Sequence, residues 1–268
     1  MSSENEGVAI WQELTSGELG KMADSDPVAV LPLAAVEQHG PHLPLATDGI
    51  IGAGLLDAAL EDLAGEAPVL VLPTQAVGTS SEHATFPGTL SLEPDTLGRV
   101  LRELGGSLAR AGLRRLVVSN SHGGNRSVVD TAALALRRDL GMLVVKAHYF
   151  RFPRPADVEL PEREWIHGLH GGAVETAMML HLRPDLVRRE AIDSFPSLGE
   201  DLASSLMRVA PEGQAAFAWS AEDLSAEGVV GDATLADADM GARLVRHYAS
   251  CLADVIDDAR RFPLERLV

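Results

Sequence analysis

The sequence predicts an α/β fold, a three-layer α/β/α arrangement with a mostly parallel sheet. Three observations predict it. Short apolar runs rich in β-branched residues recur through the N-terminal half of the chain. Segments with helical spacing of apolar residues separate them, and loops rich in Gly, Pro and polar residues punctuate each change of period. Strand and helix in alternation imply parallel strands covered by helices on both faces.

The first strand is Val28–Leu33 (VAVLPL), followed by a polar loop from Ala34 to Thr47. Asp48 then suits a helix cap, and Ile50, Ile51, Leu55, Leu56, Ala59 and Leu63 share one side of a helix running to about Ala64. Val69–Leu72 reads as the second strand, with a loop from Pro73 to about Glu93. A helix from Pro94 to Ala111 has proline in its first turn and Gly112 past its end. Leu116–Ser119 is the third strand, Asn120–Asn125 a glycine-containing loop with Asn125 a candidate N-cap, Arg126–Leu140 a helix and Met142–Ala147 the fourth strand. Arg151–Glu164, with three prolines, reads as loop. Gly172–Leu182 is helical in pattern, and Ser194–Gly213 has no clear period. Phe217–Trp219 is a candidate late strand. A last helix from about Leu235 to Arg261 would bury Met240, Leu244, Tyr248, Leu252 and Ile256. No repeat or linker interrupts the chain, so one domain is expected over residues 1–268, with 1–7 disordered.

Composition narrows the function. The 22 Lys+Arg against 39 Asp+Glu leave a net charge of −17, the wrong sign for a general binder of nucleic acids or anionic membranes. The single Cys251 excludes an internal disulfide framework and a cysteine-rich zinc site, and without a basic neighbour in sequence it suits packing. No apolar run approaches the roughly 20 residues of a membrane span. Met1–Gly7 lacks the layout of a secretion signal, so a soluble, cytoplasmic protein is expected.

Five of the nine histidines (His39, His42, His83, His122 and His170) lie in Gly- or Pro-containing loops, two of which directly follow predicted strands. In open parallel sheets ligands bind beyond the carboxyl ends of the strands. In Glu37-Gln38-His39-Gly40-Pro41-His42, extended backbone puts Glu37 and His39 on one side. With Asp48 nearby, such a set suits Zn²⁺ or Mn²⁺, although Asp48 could be only a cap and Glu37 only a solvated loop residue. The loop around His122 ends in two glycines and an asparagine, which suits either close approach to a ligand or a tight turn. His170 precedes a helix whose first turns carry Glu175, again a ligand pair or an ordinary helix start. His148, His167, His181 and His247 have no supporting neighbours. Trp165 and Trp219 suit packing better than a pocket cover. Phosphate-loop, dinucleotide and nucleophile-elbow motifs do not occur.

Together, Leu31-Pro32-Leu33, Glu37-Gln38-His39-Gly40-Pro41-His42-Leu43-Pro44-Leu45 and Thr47-Asp48 resemble the signature of the creatininase (creatinine amidohydrolase) family. Asn120-Ser121-His122-Gly123-Gly124-Asn125 is similar to its second element, and His170-Gly171-Gly172 with Glu175-Thr176 to its third. Gly78, His83 and Phe86-Pro87-Gly88-Thr89, then Gly228-Val229-Val230-Gly231-Asp232, also match in family order, so the likeness spans about residues 28 to 245.

The resemblance implies an α/β/α fold and a binuclear metal centre that hydrolyses amides, often in a homo-oligomer, with a hexamer expected. Glu37, His39, Asp48 and His122 would be ligands, Asp48 bridging. Creatininase itself has a glutamate where this chain has Gly124, and it completes the second metal site there. Glu175 is the expected replacement. Creatininase also has a glutamate where this chain has Leu169, so creatinine is a poor fit. The family includes a mycofactocin precursor peptidase, a formamide hydrolase and hydrolases of cyclic carbonyl compounds, and the Gly-Gly loop resembles theirs more closely. The expectation is a hydrolase of a non-standard amide, cyclic amide or formamide bond in a small-molecule substrate. His170 would shuttle a proton, His83 would contact substrate, and two divalent ions, Zn²⁺ ahead of Mn²⁺ or Fe²⁺, would serve as cofactors. The rivals are a ring-opening hydrolase of cyclic ketones and a non-catalytic small-molecule binder.

Overall fold

A computed structural model of the chain describes residues 7–63 and 68–267. Five parallel strands form the central sheet: β1 (Val8–Ile10), β2 (Val28–Leu33), β3 (Val69–Val71), β4 (Arg115–Asn120) and β5 (Leu143–His148). Their spatial order is β1-β3-β2-β4-β5. Val28 of β2 is level with Val69 of β3 and Arg115 of β4, and Leu33 with Asn120.

Alternation along β2 feeds two cores. Val28 and Val30 pack with Val69, Val117 and the apolar stripes of α2 (Thr47–Asp62) and a long C-terminal helix, Ala238–Arg261. Ala29, Leu31 and Leu33 pack on the other face with α3 (Pro94–Arg110) and α4 (Arg126–Leu140). These are the three expected layers. The chain passes from β2 to β3 on one side, then back across β2 to β4 on the other. That reversal opens a crevice beyond the carboxyl ends of β2 and β4, the place where such sheets bind ligands.

Several expectations need correction. A strand and helix precede the first expected strand: β1, and α1 (Ser16–Ala23), whose capping box is closed by Thr15 and Glu18. Asp48 caps nothing. It lies inside the first turn of α2, buried, while Ala46 takes the cap position without a side-chain bond. Asn125 also makes no cap bond at α4. Its amide nitrogen donates to the Ala34 carbonyl and to Asn120 Oδ1, and its Oδ1 accepts from Thr79 N at 2.9 Å. The segment 151–164 ends in a short helix, α5 (Glu162–His167), and α6 covers Ala173–Leu182. Phe217–Trp219 is not a strand. A two-residue pair, Val209–Ala210 with Ala215–Ala216, precedes it, after helix α7 (Leu198–Ala203) and a strand, Ser194–Phe195, paired to Gly231–Asp232. After α8 (Ala221–Leu224), the C-terminal helix α9 starts at Ala238, where the Asp237 side chain accepts from Met240 N, and it buries all five expected residues. Ala64 and residues 1–6 fall outside the described residues, while the Gly7 carbonyl accepts from Val69 N at 2.7 Å. Among the described residues, no helix is long and apolar enough to cross a membrane.

Candidate metal centre

The loop after β2 is shaped by its own backbone. Glu37 N donates to Leu45 O, Gln38 N to Thr89 Oγ1 and Leu90 N to Val36 O, at 3.1, 3.1 and 2.8 Å. Gly40 turns with φ +66°, as does Gly171 with φ +67°, and the side chain of Val229 fills the space a Cβ at either would need. Loops 37–45 and 168–172 therefore meet across one valine. The bridge between His170 and Val230 completes this junction.

This arrangement brings Glu37, His39, Asp48, His83, His122, His170 and Glu175 together. His39 Nε2 lies 3.5 Å from Asp48 Oδ1 and 3.9 Å from Glu175 Oε2. His122 Nδ1 lies 3.1 Å from Glu37 Oε1 and 3.3 Å from Asp48 Oδ2. His83 Nε2 and His170 Nδ1 face Glu37 Oε1 at 3.8 and 3.7 Å. Asp48 thus faces both His39 and His122. Glu175 reaches in from the first turn of α6 while accepting from Gly171 N at 2.7 Å. Of the expected ligand set, only Glu175 is partly exposed.

The hydrogen bonds at the back of each imidazole decide what it offers at the front. His39 Nδ1 is 3.2 Å from the Glu37 carbonyl, and His122 Nε2 is 2.9 Å from the Thr79 carbonyl. A carbonyl only accepts, so those nitrogens carry the protons. In the neutral imidazole the opposite nitrogen then has a lone pair to offer, directed at buried carboxylates. Glu37 Oε2, Asp48 Oδ2 and His39 Nε2 have no hydrogen-bond partner. Unpaired buried acceptors facing one another are costly, and a cation among them removes the cost. Mixed imidazole and carboxylate donors of this kind suit Zn²⁺, Mn²⁺ or Fe²⁺.

With no cation among them, the groups trade charge. Burial lowers the proton affinity of His39, but Asp48, Glu175 and Glu37 outweigh it and push the imidazole up to about 9. His122, buried between Glu37 and Asp48, is raised well above the ordinary histidine range. Burial pushes Glu37 up, yet His122, His170 and His83 hold it well below the usual carboxylate range. His83 is driven by burial and by His170 down to about 3.

One acidic residue escaped the sequence reading. Glu82 Oε1 lies 3.5 Å from His122 Nε2, and Glu37, Glu82 and His122 form a group able to hold an ion, as do His39, Asp48 and Glu175, and Glu37, His39 and His170. Its adjacency to His83 in a matching loop was the available signal. His42 lies apart from these groups, 2.9 Å from Thr176 Oγ1 and stacked on Phe195. Trp219 stands edge-on to His83 with centroids 6.5 Å apart, so it borders the site, whereas Trp165 packs beneath Arg154. His148 bonds Asn120, and His247 bonds Pro153 O with Cys251 Sγ at 3.9 Å. Cys251 therefore has a basic neighbour after all, one helical turn earlier, but burial pushes its thiol up, as packing requires.

The sequence profile of the creatininase family, described as creatinine amidohydrolase, matches residues 12–256. The chain belongs to the creatininase family of hydrolases. It is 33% identical over 250 residues to the mycofactocin precursor peptide peptidase of Mycolicibacterium smegmatis, covering 90% of this chain and 88% of that one. It is 33% identical over 205 residues to the creatinine amidohydrolase of Pseudomonas putida, covering 71% and 76%. A manganese form of creatininase superposes with a TM-score of 0.74 at 28% identity, over 95% of this chain and 98% of that one. A creatininase variant of Zn-Zn type gives 0.72 at 26%, over 98% and 100%. Creatininase structures thus share the fold and include manganese and zinc forms.

Proposed function

We propose that this creatininase-family protein is a binuclear metal-dependent hydrolase of a non-standard carbon–nitrogen bond, acting as one domain within a homo-oligomer. The observation that carries the reading is the pair of histidines, His39 and His122, whose Nε2 and Nδ1 atoms face Asp48 from two sides. His39, Asp48 and Glu175 would hold one ion, and Glu37, Asp48 and His122 the other, with Zn²⁺ the favoured metal over Mn²⁺ or Fe²⁺. When bound, divalent ions supply carbonyl polarisation and acidify water near neutral pH.

The protein's own groups do the rest. His170 takes the proton released by the attacking water and delivers it to the leaving nitrogen as the carbon–nitrogen bond breaks. His83 contacts the substrate carbonyl. Tyr149, buried beside Glu175 with its hydroxyl 3.4 Å from Oε1, helps hold that carboxylate. Trp219 shields the His83 side of the site from water.

Creatinine fits poorly, because Leu169 and Gly124 offer no polar side chain where creatininase has glutamates. The wide coverage by peptidase relatives favours short C-terminal peptides as the first substrates to try. The test is a screen of metal-replete and metal-stripped protein against such peptides, formamides, cyclic amides, creatinine and cyclic diketones. Metal-dependent cleavage of a carbon–nitrogen bond is expected, with creatinine well below the best substrate. Turnover of diketones alone would favour ring opening of ketones. Bound metal without any turnover would favour the non-catalytic binder.

A further inference from the structure

We propose that Gln38 sets opposite hydrogen-bonding roles on two stacked histidines, so that His83 offers the substrate a donor and His170 an acceptor. The two rings lie face to face beside Glu37, centroids 4.2 Å apart and planes 25° apart. Two similar imidazoles at one place do different chemistry only if something distinguishes their nitrogens.

The Gln38 amide is pinned from both ends. Its Oε1 accepts from Gly40 N at 2.9 Å, and a backbone N–H can only donate. Its Nε2 donates to the Gly228 carbonyl, which can only accept. The remaining N–H points at His83 Nδ1, 2.8 Å away. His83 Nδ1 must therefore accept, and its proton sits on Nε2, the nitrogen that faces Glu37.

The same residue fixes the second ring through its backbone. His170 Nε2 is 2.8 Å from the Gln38 carbonyl, so Nε2 donates and Nδ1 keeps its lone pair towards Glu37. The 3.3 Å approach of Gln38 Nε2 to His170 Nε2 is then a contact between two donors already committed elsewhere. Towards the centre, His83 presents N–H and His170 presents a lone pair.

This division rests on the hydrolase reading and deepens it. The water oxygen bonds to the carbonyl carbon and its proton passes to His170 Nδ1. His170 returns that proton to the nitrogen as the carbon–nitrogen bond breaks. His83 keeps its Nε2 proton throughout and donates a hydrogen bond to the carbonyl oxygen as negative charge grows there. Gln38 touches no reacting atom and is a positioning residue.

The experiment is long-range ¹H–¹⁵N spectroscopy of ¹⁵N-histidine-labelled, zinc-loaded protein, where protonated and unprotonated ring nitrogens are well separated. Wild-type His83 and His170 should both be protonated at Nε2. In Gln38→Glu a carboxylate faces His83 Nδ1 and should move the proton there. Gln38→Leu removes the donor and should leave a mixture of the two forms. Both variants should lose about 10–100-fold in kcat, the usual cost of removing an orienting partner, with KM little changed. A His83 proton on Nδ1 in the wild type overturns the proposal, as do unaltered tautomers and kcat in both variants. The spectra need no substrate, so a failed hydrolase reading and a failed Gln38 assignment are told apart.

Discussion

The Glu82 carboxylate stands where a side chain at position 124 would begin: a Cβ on Gly124 would lie 2.4 Å from Glu82 Oε1 and 2.5 Å from both His122 Nε2 and the Thr79 carbonyl. The glycine that deprives the loop of a carboxylate is thus what admits another from the neighbouring loop. Gly124→Ala should destabilise the protein by about 1–3 kcal/mol, the usual cost of overpacking. It should also weaken metal binding, because the Thr79 carbonyl that orients His122 must move. Denaturant melts and elemental analysis check both. An unperturbed variant would show that the 79–83 loop yields freely.

Asp48 faces both His39 and His122, so its loss should empty both proposed ion positions together. Asp48→Asn keeps the shape of the side chain and Asp48→Ala removes it. Metal-replete preparations of either should contain almost no divalent ion by elemental analysis. One ion retained at full occupancy would mean that Asp48 serves only one of the two positions.

Glu175 is expected to matter to the metal more than to the fold. Glu175→Gln can still accept from Gly171 N, so the start of α6 survives. Affinity for one ion should fall by at least about 10-fold, while the melting temperature of the stripped protein hardly changes. Competition with a chromogenic chelator gives the affinity. Unchanged affinity would show that Glu175 is not a ligand.

A pH effect on stability should come from His42. Burial holds its folded-state value down to about 4, against about 6.5 in an unfolded chain. The unfolded state therefore binds more protons between those values, and stability falls as the pH drops through that window. Between about pH 7 and pH 5 this one group contributes about 1–2 kcal/mol of loss. His42→Gln should flatten the slope by that amount in urea melts of metal-free protein. A variant with the wild-type slope would assign the acid sensitivity to other groups.

What the sequence disclosed follows from where the constraint was local. β2 is a continuous apolar run and β4 contains one at Leu116–Val118, because both faces are covered there, and such runs are legible. The residues that crowd the centre sit in motifs dense in ligand types, so Glu37, His39 and His122 stood out. β1 has three residues at a sheet edge and no period to detect. Asp48 looked like a cap because a carboxylate before an apolar helical pattern usually is one. Its neighbours His39 and His122 are set by tertiary structure. Gln38 lay in a quoted motif and Glu82 lies beside His83, but their roles depend on contacts with Gly228, His83 and His122 that no spacing rule encodes.

The junction at Val229, where the first loop and the third meet, has a consequence for synthesis on the ribosome. Chains emerge from the N-terminus, and domains generally fold as units. Glu37, His39, Asp48 and His122 leave the ribosome before Glu175, and the valine that seats their loop on its partner comes later still. Until then the acidic and imidazole groups lack the contact that joins their loop to the one carrying His170. The loop junction is accordingly deferred until almost the whole polypeptide is made, and a product ending before Val229 would lack the side chain on which Gly40 and Gly171 meet.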